Sequence, residues 1–187
     1  MHDLYIQDKT FDRDSTLVKG NYENCIFNNC NLADYNLSEF KFTDCSFNSS
    51  NLSLAKLHKT SFSNVTFKDC KMLGLRFDTC NDFGFSVSFE DCQLNYASFF
   101  KTKIKKTSFI NCQLQEVDFV EADLTNAVFD NCNLLLAVFE NTILEKADFR
   151  TSHGYAINPE INRIKKARFS IWGIPGLLNQ YDIDIEK

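Results

Sequence analysis

The chain contains no apolar run of 18 residues, so no segment is expected to span a bilayer as a helix. Nor does it carry a basic surplus: 20 Lys and Arg stand against 25 Asp and Glu, a net charge of -5. That balance argues against a protein that holds nucleic acid directly by counterion release, which needs a basic footprint. The opening MHDLYIQDKTFDRD lacks a basic region followed by an apolar core, so no secretory signal is expected and the cytoplasm is the expected location. No glycine-rich phosphate loop occurs. Histidine is scarce as well, and His2, His58 and His153 lie far apart without a companion set of cysteines. No catalytic residue, metal site or cofactor is therefore expected, and the chain reads as a non-enzyme.

What it has instead is a spacing. From Val87 to Phe149 large apolar residues recur every fifth position, at Phe89, Leu94, Phe99, Ile104, Phe109, Leu114, Phe119, Leu124, Phe129, Leu134, Phe139, Leu144 and Phe149. Two residues before each centre sits something small or of modest size, such as Cys92, Ala97, Thr102, Cys112, Val117 or Ala122. Neither a helical period nor strict strand alternation produces this pattern, which is an internal repeat.

A second period lies inside the first. Taken every twentieth residue, the centres fall into columns such as Phe89, Phe109, Phe129, Phe149 and Phe169, or Leu94, Leu114 and Leu134, or Phe99, Phe119 and Phe139. The economical reading is a coil with four sides of five residues. Successive rungs would lie about 4.8 Å apart, close enough for stacked rings to touch. A solenoid has no core except the one its coils make, so the centres must point inward.

The eight cysteines admit a disulfide framework, metal sites or packing. Cys25, Cys30, Cys45, Cys70, Cys92, Cys112 and Cys132 all lie two before a centre, and Cys80 lies where the next such position would fall. They read as small residues filling an inward niche, alternating with Ala, Val, Thr and Ser. Stacked thiols would sit near bridging distance, although a reducing compartment opposes a bridge.

Taken in order, residues 1–14 precede the clear repeat and are expected to cap the first coil, with Tyr5, Ile6 and Phe11 closing the bottom of the core. From Ser15 a first run has centres from Leu17 to Phe77, with Tyr35, Phe40 and Leu75 as oversized niche residues. Between Phe77 and Phe89 two extra residues enter, so segment 78–88 is expected to form a bulge with Phe83 and Phe85 anchored to the wall. The repeat domain is 1–169, its last coil, 150–169, being irregular. Asn158 and Pro159 suggest a short helix through Ile161 and Ile164. In the tail, 170–187, a brief helix over 175–180 and a strand over 181–186 are expected. Trp172, Ile174, Leu177, Leu178, Tyr181, Ile183 and Ile185 exceed the needs of one cap, which points to a two-fold dimer contact.

The repeat unit resembles that of pentapeptide-repeat proteins, whose motif is a small residue, Asp or Asn, Leu or Phe, and two variable residues. Ala122-Asp123-Leu124-Thr125-Asn126 and Ala147-Asp148-Phe149-Arg150-Thr151 match it fully. The resemblance implies an all-β fold, a right-handed quadrilateral β-helix. The tail Gly176-Leu177-Leu178 with Tyr181 to Ile185, and the opening Phe11-Asp12-Arg13, are similar to the quinolone-resistance (Qnr-type) members. This implies a homodimer that binds DNA gyrase and topoisomerase IV as a rod resembling duplex DNA. The two runs of thirteen centres lack the projecting loops of many such proteins, and Lys103, Lys105 and Lys106 make one face locally basic. The candidate partner surface is acidic and apolar: Asp118, Glu121, Asp123, Asp130, Glu140, Phe100, Leu135 and Leu136. A general protein-interaction scaffold docking its partner on outward apolar residues remains the alternative.

Overall fold

The computed structural model describes residues 4–14 and 16–186, so His2 and Ser15 lie outside the described residues. The chain winds into a four-walled β-solenoid. Two walls carry regular strands: β1 (Leu4–Gln7), β2 (Thr10–Asp12), β3 (Gly20–Glu23), β4 (Ile26–Asn28), β5 (Lys41–Thr43), β6 (Ser46–Asn48), β7 (Ser61–Ser63), β8 (Val65–Lys68), β9 (Val87–Glu90), β10 (Ser108–Ile110) and β11 (Val128–Asp130). They form two parallel ladders, β1-β3-β5-β7 and β2-β4-β6-β8-β9-β10-β11. The other walls are stitched by single parallel bridges such as Gln93↔Gln113 and Ser98↔Asp118.

The twenty-residue register holds through most of the rod, as in Phe27↔Phe47 and Phe109↔Phe129. At the bottom the offset is shorter, with Phe11 paired to Phe27, so residues 4–14 form a rung of their own rather than a loose cap. Phe11 and Ile6 pack on the core as expected, whereas Tyr5 points outward and its hydroxyl donates to Glu23. Its place on a strand of alternating orientation next to the inward Ile6 dictates this.

The walls are conveniently numbered by their inward columns. Wall 1 carries Phe27, Phe47, Phe67, Phe89, Phe109, Phe129 and Phe149, all at most 1% exposed. Wall 2 carries Leu52, Leu94, Leu114 and Leu134; wall 3 carries Phe77, Phe99, Phe119 and Phe139; and wall 4 carries Tyr22, Phe42, Phe62, Ile104, Leu124 and Leu144. Every member of the expected core ladder is buried. Rings within wall 1 stack at 4.4–5.5 Å, and those of walls 1 and 3 meet edge to face across the core, as Phe109 and Phe119 do at 6.1 Å. Both geometries suit the ring quadrupole.

Each position of the pentad has a physical task. The residue before the centre closes an Asx turn, with Asp118 and Asp123 accepting from the backbone N–H of Val120 and Thr125. The residue two after the centre takes the left-handed conformation, as at Asn111, Glu121, Asn126 and Asn131. Its N–H then bonds to the next coil, as Asn111 to the carbonyl of Asp130 at 2.8 Å. Asn and Asp tolerate that conformation best, which is why the second variable position is often Asn or Asp.

The inward niche explains the cysteines. Cys70, Cys92 and Cys132 donate through Sγ to the carbonyls of Phe47, Phe67 and Phe109 on the coil below, at 3.4, 3.4 and 3.3 Å. Ser50 and Ser152 make the same bond to Phe27 and Phe129 from the same column. A strand carbonyl that finds no turn partner would otherwise be buried unpaired.

The two-residue insertion appears in the ladder as Val65↔Val87 and Phe67↔Phe89. Phe85 turns in against Phe62 and Phe77. Phe83 does not: it is 88% exposed, because the turn at Asp82–Gly84, with Gly84 at φ +70°, carries it off the wall. At the top, three expectations are corrected. Residues 158–164 form a turn, not a helix, since the Asn158 carboxamide closes an Asx turn on Glu160 N–H and Arg163 rejoins the bridge column with Ile143. Ile164 still packs on the core, while Ile161 is exposed. The tail helix is a 3-10 segment at Ile171–Leu177, begun by Ser170 accepting from Gly173 N–H, with a further 3-10 turn at Asn179–Tyr181. Residues 183–186 join no ladder, because Asp182 at φ 48° turns the chain out of register. Leu177 packs on the core and Leu178 is half-buried.

Candidate partner-binding surfaces

With the interior filled, any function must reside on the walls. Clefts are shallow; one beside the insertion, lined in part by Asp78, Cys80, Phe85, Phe100 and Lys101, encloses about 240 Å³. Among the described residues no group of His, Cys, Asp or Glu is arranged to hold a metal ion. His58 and His153 are both exposed and lie on different walls. The eight thiols are free, and burial pushes those of Cys30, Cys45 and Cys80 up. Such thiols are poor nucleophiles.

The solenoid distributes the eight candidate surface residues over all four walls. Wall 3 gathers four of them. Asp118 is half-buried, held by Val120 N–H at 2.9 Å and Ser98 Oγ at 3.5 Å; Glu121 is exposed and pairs with Lys101 at 3.4 Å; Glu140 is exposed one coil above. Phe100 lies half-buried on the coil below Asp118 and Glu121, with the Lys101 ammonium 4.7 Å from its ring centroid. Wall 2 carries Leu135 and Leu136, 48% and 66% exposed. Asp130 is the one candidate on wall 1, in the column of Glu90 and accepting from Thr151 Oγ1 at 2.7 Å. Asp123 belongs to wall 4 among lysines. Its partial burial disfavours the charge, but bonds from Thr125 and from Lys105, at 3.0 Å, outweigh this and hold the carboxyl below its usual range.

Two features went unseen in the sequence. Leu54 and Tyr96 occupy the same left-handed corner column as Leu136, at φ 59°, 64° and 59°, and all three are about 60% exposed or more. Bulky residues are unfavourable in that conformation, so the signal available was an apolar residue two after a centre. Phe83 is the second. In the tail Ile171 and Trp172 are 77% and 80% exposed, Tyr181, Ile183 and Ile185 about half, and Ile174 less so.

A quadrilateral solenoid of five-residue walls with Asx-turned, left-handed corners identifies the family. A pentapeptide-repeat profile, described as a pentapeptide repeat region, matches residues 21–99 and 84–158. The chain belongs to the pentapeptide-repeat family. No curated protein sequence matches it significantly. Among solved structures, a trypsin-treated variant of QnrB1, a plasmid-mediated fluoroquinolone resistance protein, superposes with a TM-score of 0.63 at 16% identity over 99% of both chains. A second trypsin-treated QnrB1 variant gives 0.61 at 17% identity. HetL, a pentapeptide-repeat protein involved in heterocyst differentiation regulation from the cyanobacterium Nostoc sp. strain PCC 7120, gives 0.64 at 11% identity over 91% of this chain and 86% of its own. These likenesses are to the fold. Pentapeptide-repeat proteins of this kind are structural or interaction proteins, and among the described residues no helix is long and apolar enough to cross a membrane.

Proposed function

We propose that this pentapeptide-repeat chain is a non-catalytic ligand of DNA gyrase or topoisomerase IV, working in the cytoplasm as a homodimer. The acidic wall 3 takes the place of duplex DNA on the enzyme and so counters quinolones. The observation that carries the reading is the placement of Asp118 and Glu121 on one coil of wall 3 and Glu140 on the next, on a fold shared with a fluoroquinolone resistance protein along its whole length. The exposed tail residues Ile171, Trp172, Ile183 and Ile185 supply apolar surface for the two-fold contact. The test is a supercoiling assay with purified gyrase, with and without ciprofloxacin, titrating this protein. Restored supercoiling in the presence of drug is expected. No change in supercoiling or in drug inhibition at a large molar excess overturns the proposal.

One observation favours a second reading, that of an interaction scaffold. Leu54, Tyr96, Leu135 and Leu136 line one edge of wall 2, so a partner docking there would use apolar contact. Binding to that edge should be insensitive to salt, whereas binding through wall 3 should weaken steeply.

A further inference from the structure

The charge of this rod is sorted by wall. Between residues 89 and 169, Lys103, Lys105, Lys106, Lys146, Lys165 and Lys166 all project from wall 4 or its corner, every one of them exposed, and Arg163 is a seventh cation there. The only carboxylates on that wall are Asp123 and Glu145, paired with Lys105 at 3.0 Å and Arg163 at 2.6 Å. The three cations elsewhere in this stretch are each paired: Lys101 with Glu121, and Arg150 and Arg168 with Asp148. Among the described residues Lys103, Lys106, Lys146, Lys165 and Lys166 have no such partner. The ladder Lys103↔Asp123↔Ile143↔Arg163 stacks the wall, and Lys106, Lys146 and Lys166 share one left-handed corner at φ 60–61°.

We propose that wall 4 of the upper coils binds the backbone of duplex nucleic acid. Asn126 takes the corner between Lys106 and Lys146, so the uncompensated ammonium groups stand one or two rungs apart, about 5–10 Å, where they repel one another in the free protein, and a polyanion relieves that repulsion. From Lys106 to Lys166 the stripe spans three rungs, about 14 Å, over which a duplex presents about eight phosphates. The outer face of this wall has no aromatic residue, so it offers no stacking platform for single-stranded bases and no anchor for a membrane interface. Carboxylates on walls 1 and 3, such as Glu90, Asp130, Asp118 and Glu140, confine a polyanion to wall 4. The proposal concerns a different wall from the one offered to topoisomerase and needs no enzyme to test it.

Fluorescence anisotropy of the full chain with labelled DNA and RNA duplexes of about 20 base pairs should show binding at about 50 mM salt, with a slope of log affinity on log salt of about -4 to -5. Lys106→Glu/Lys146→Glu/Lys166→Glu should lower duplex affinity at least about tenfold, with the circular dichroism spectrum unchanged, while Arg150→Glu on wall 1 should leave it unaltered. Absence of duplex binding at low salt overturns the proposal. So does tighter binding to single strands or to phosphatidylserine vesicles, or a folded triple variant that binds as the wild type does. Duplex binding with no effect on gyrase would uphold wall 4 and sink the topoisomerase reading alone.

Discussion

Phe62 and Phe77 meet with ring centroids 6.4 Å apart at the level where the second aromatic stack changes walls. Below it Tyr22, Phe42 and Phe62 stack on wall 4; above it Phe77, Phe99, Phe119 and Phe139 stack on wall 3, starting with a 4.6 Å contact between Phe77 and Phe99. One coil therefore holds Phe62, Phe67 and Phe77 together, and the insertion follows at once, turning Phe85 in against two of them. The bulge marks a handover in core packing between two halves of one rod.

Truncating a ring in the wall 1 stack should be costly. Phe109 lies between Phe89 at 5.1 Å and Phe129 at 4.9 Å, so Phe109→Ala should lose about 3–5 kcal/mol in urea unfolding. Ile110→Ala, next to it but outward, should cost far less. Equal losses would refute the register.

The niche thiols should be reduced in the native protein and replaceable by serine, which fills their column at Ser50 and Ser152. Cys132→Ser should remain folded because its hydroxyl can serve the Phe109 carbonyl, whereas Cys132→Val leaves that carbonyl unpaired and should cost about 1–3 kcal/mol. Intact mass without the loss of hydrogen pairs checks the redox state.

Stability should fall in alkali. Burial pushes the Cys45 thiol from 9.0 up to about 11 and the Tyr22 hydroxyl from 10.0 up to about 12. Both groups ionise first in the unfolded chain, so their contribution is complete below about pH 9 and is lost as pH rises through 11 and 12. Urea midpoints measured between pH 8 and 11 should decline, and Cys45→Ala should flatten the first part of the decline.

The top cap depends on two glycines. A methyl at Gly173 would overlap the Tyr155 hydroxyl, and one at Gly176 the Tyr155 carbonyl. Tyr155 itself is buried against Phe149 and Phe169, so it cannot move aside. Gly173→Ala should unseat the 3-10 segment and speed proteolysis after residue 170 while the lower coils keep their unfolding transition. A variant as resistant as the wild type would show that the cap does not rest on this contact.

The tail is expected to join two rods. Wild type should scatter light as a dimer at micromolar concentration, and Trp172→Glu should give a folded monomer with weaker gyrase binding, because burying an unpaired charge is costly. A monomeric wild type would remove the dimer.

The pentad centres and their small niche residues were legible because a solenoid repeats the same inward demand at each coil, and a residue such as Phe109 or Cys112 answers it locally. The insertion was legible too, as a break in the count. The end segments were not: Asn158-Pro159 carries a helix-start signal, yet the strand register that Arg163 must rejoin overrides it. Phe83 and Phe85 are indistinguishable in the sequence, and only the turn at Gly84 decides that one is buried and the other exposed. Charge shows the division most clearly. The acidic total is a property of composition, but Lys106, Lys146 and Lys166 share a corner only because four five-residue walls return the chain to the same place every twentieth residue.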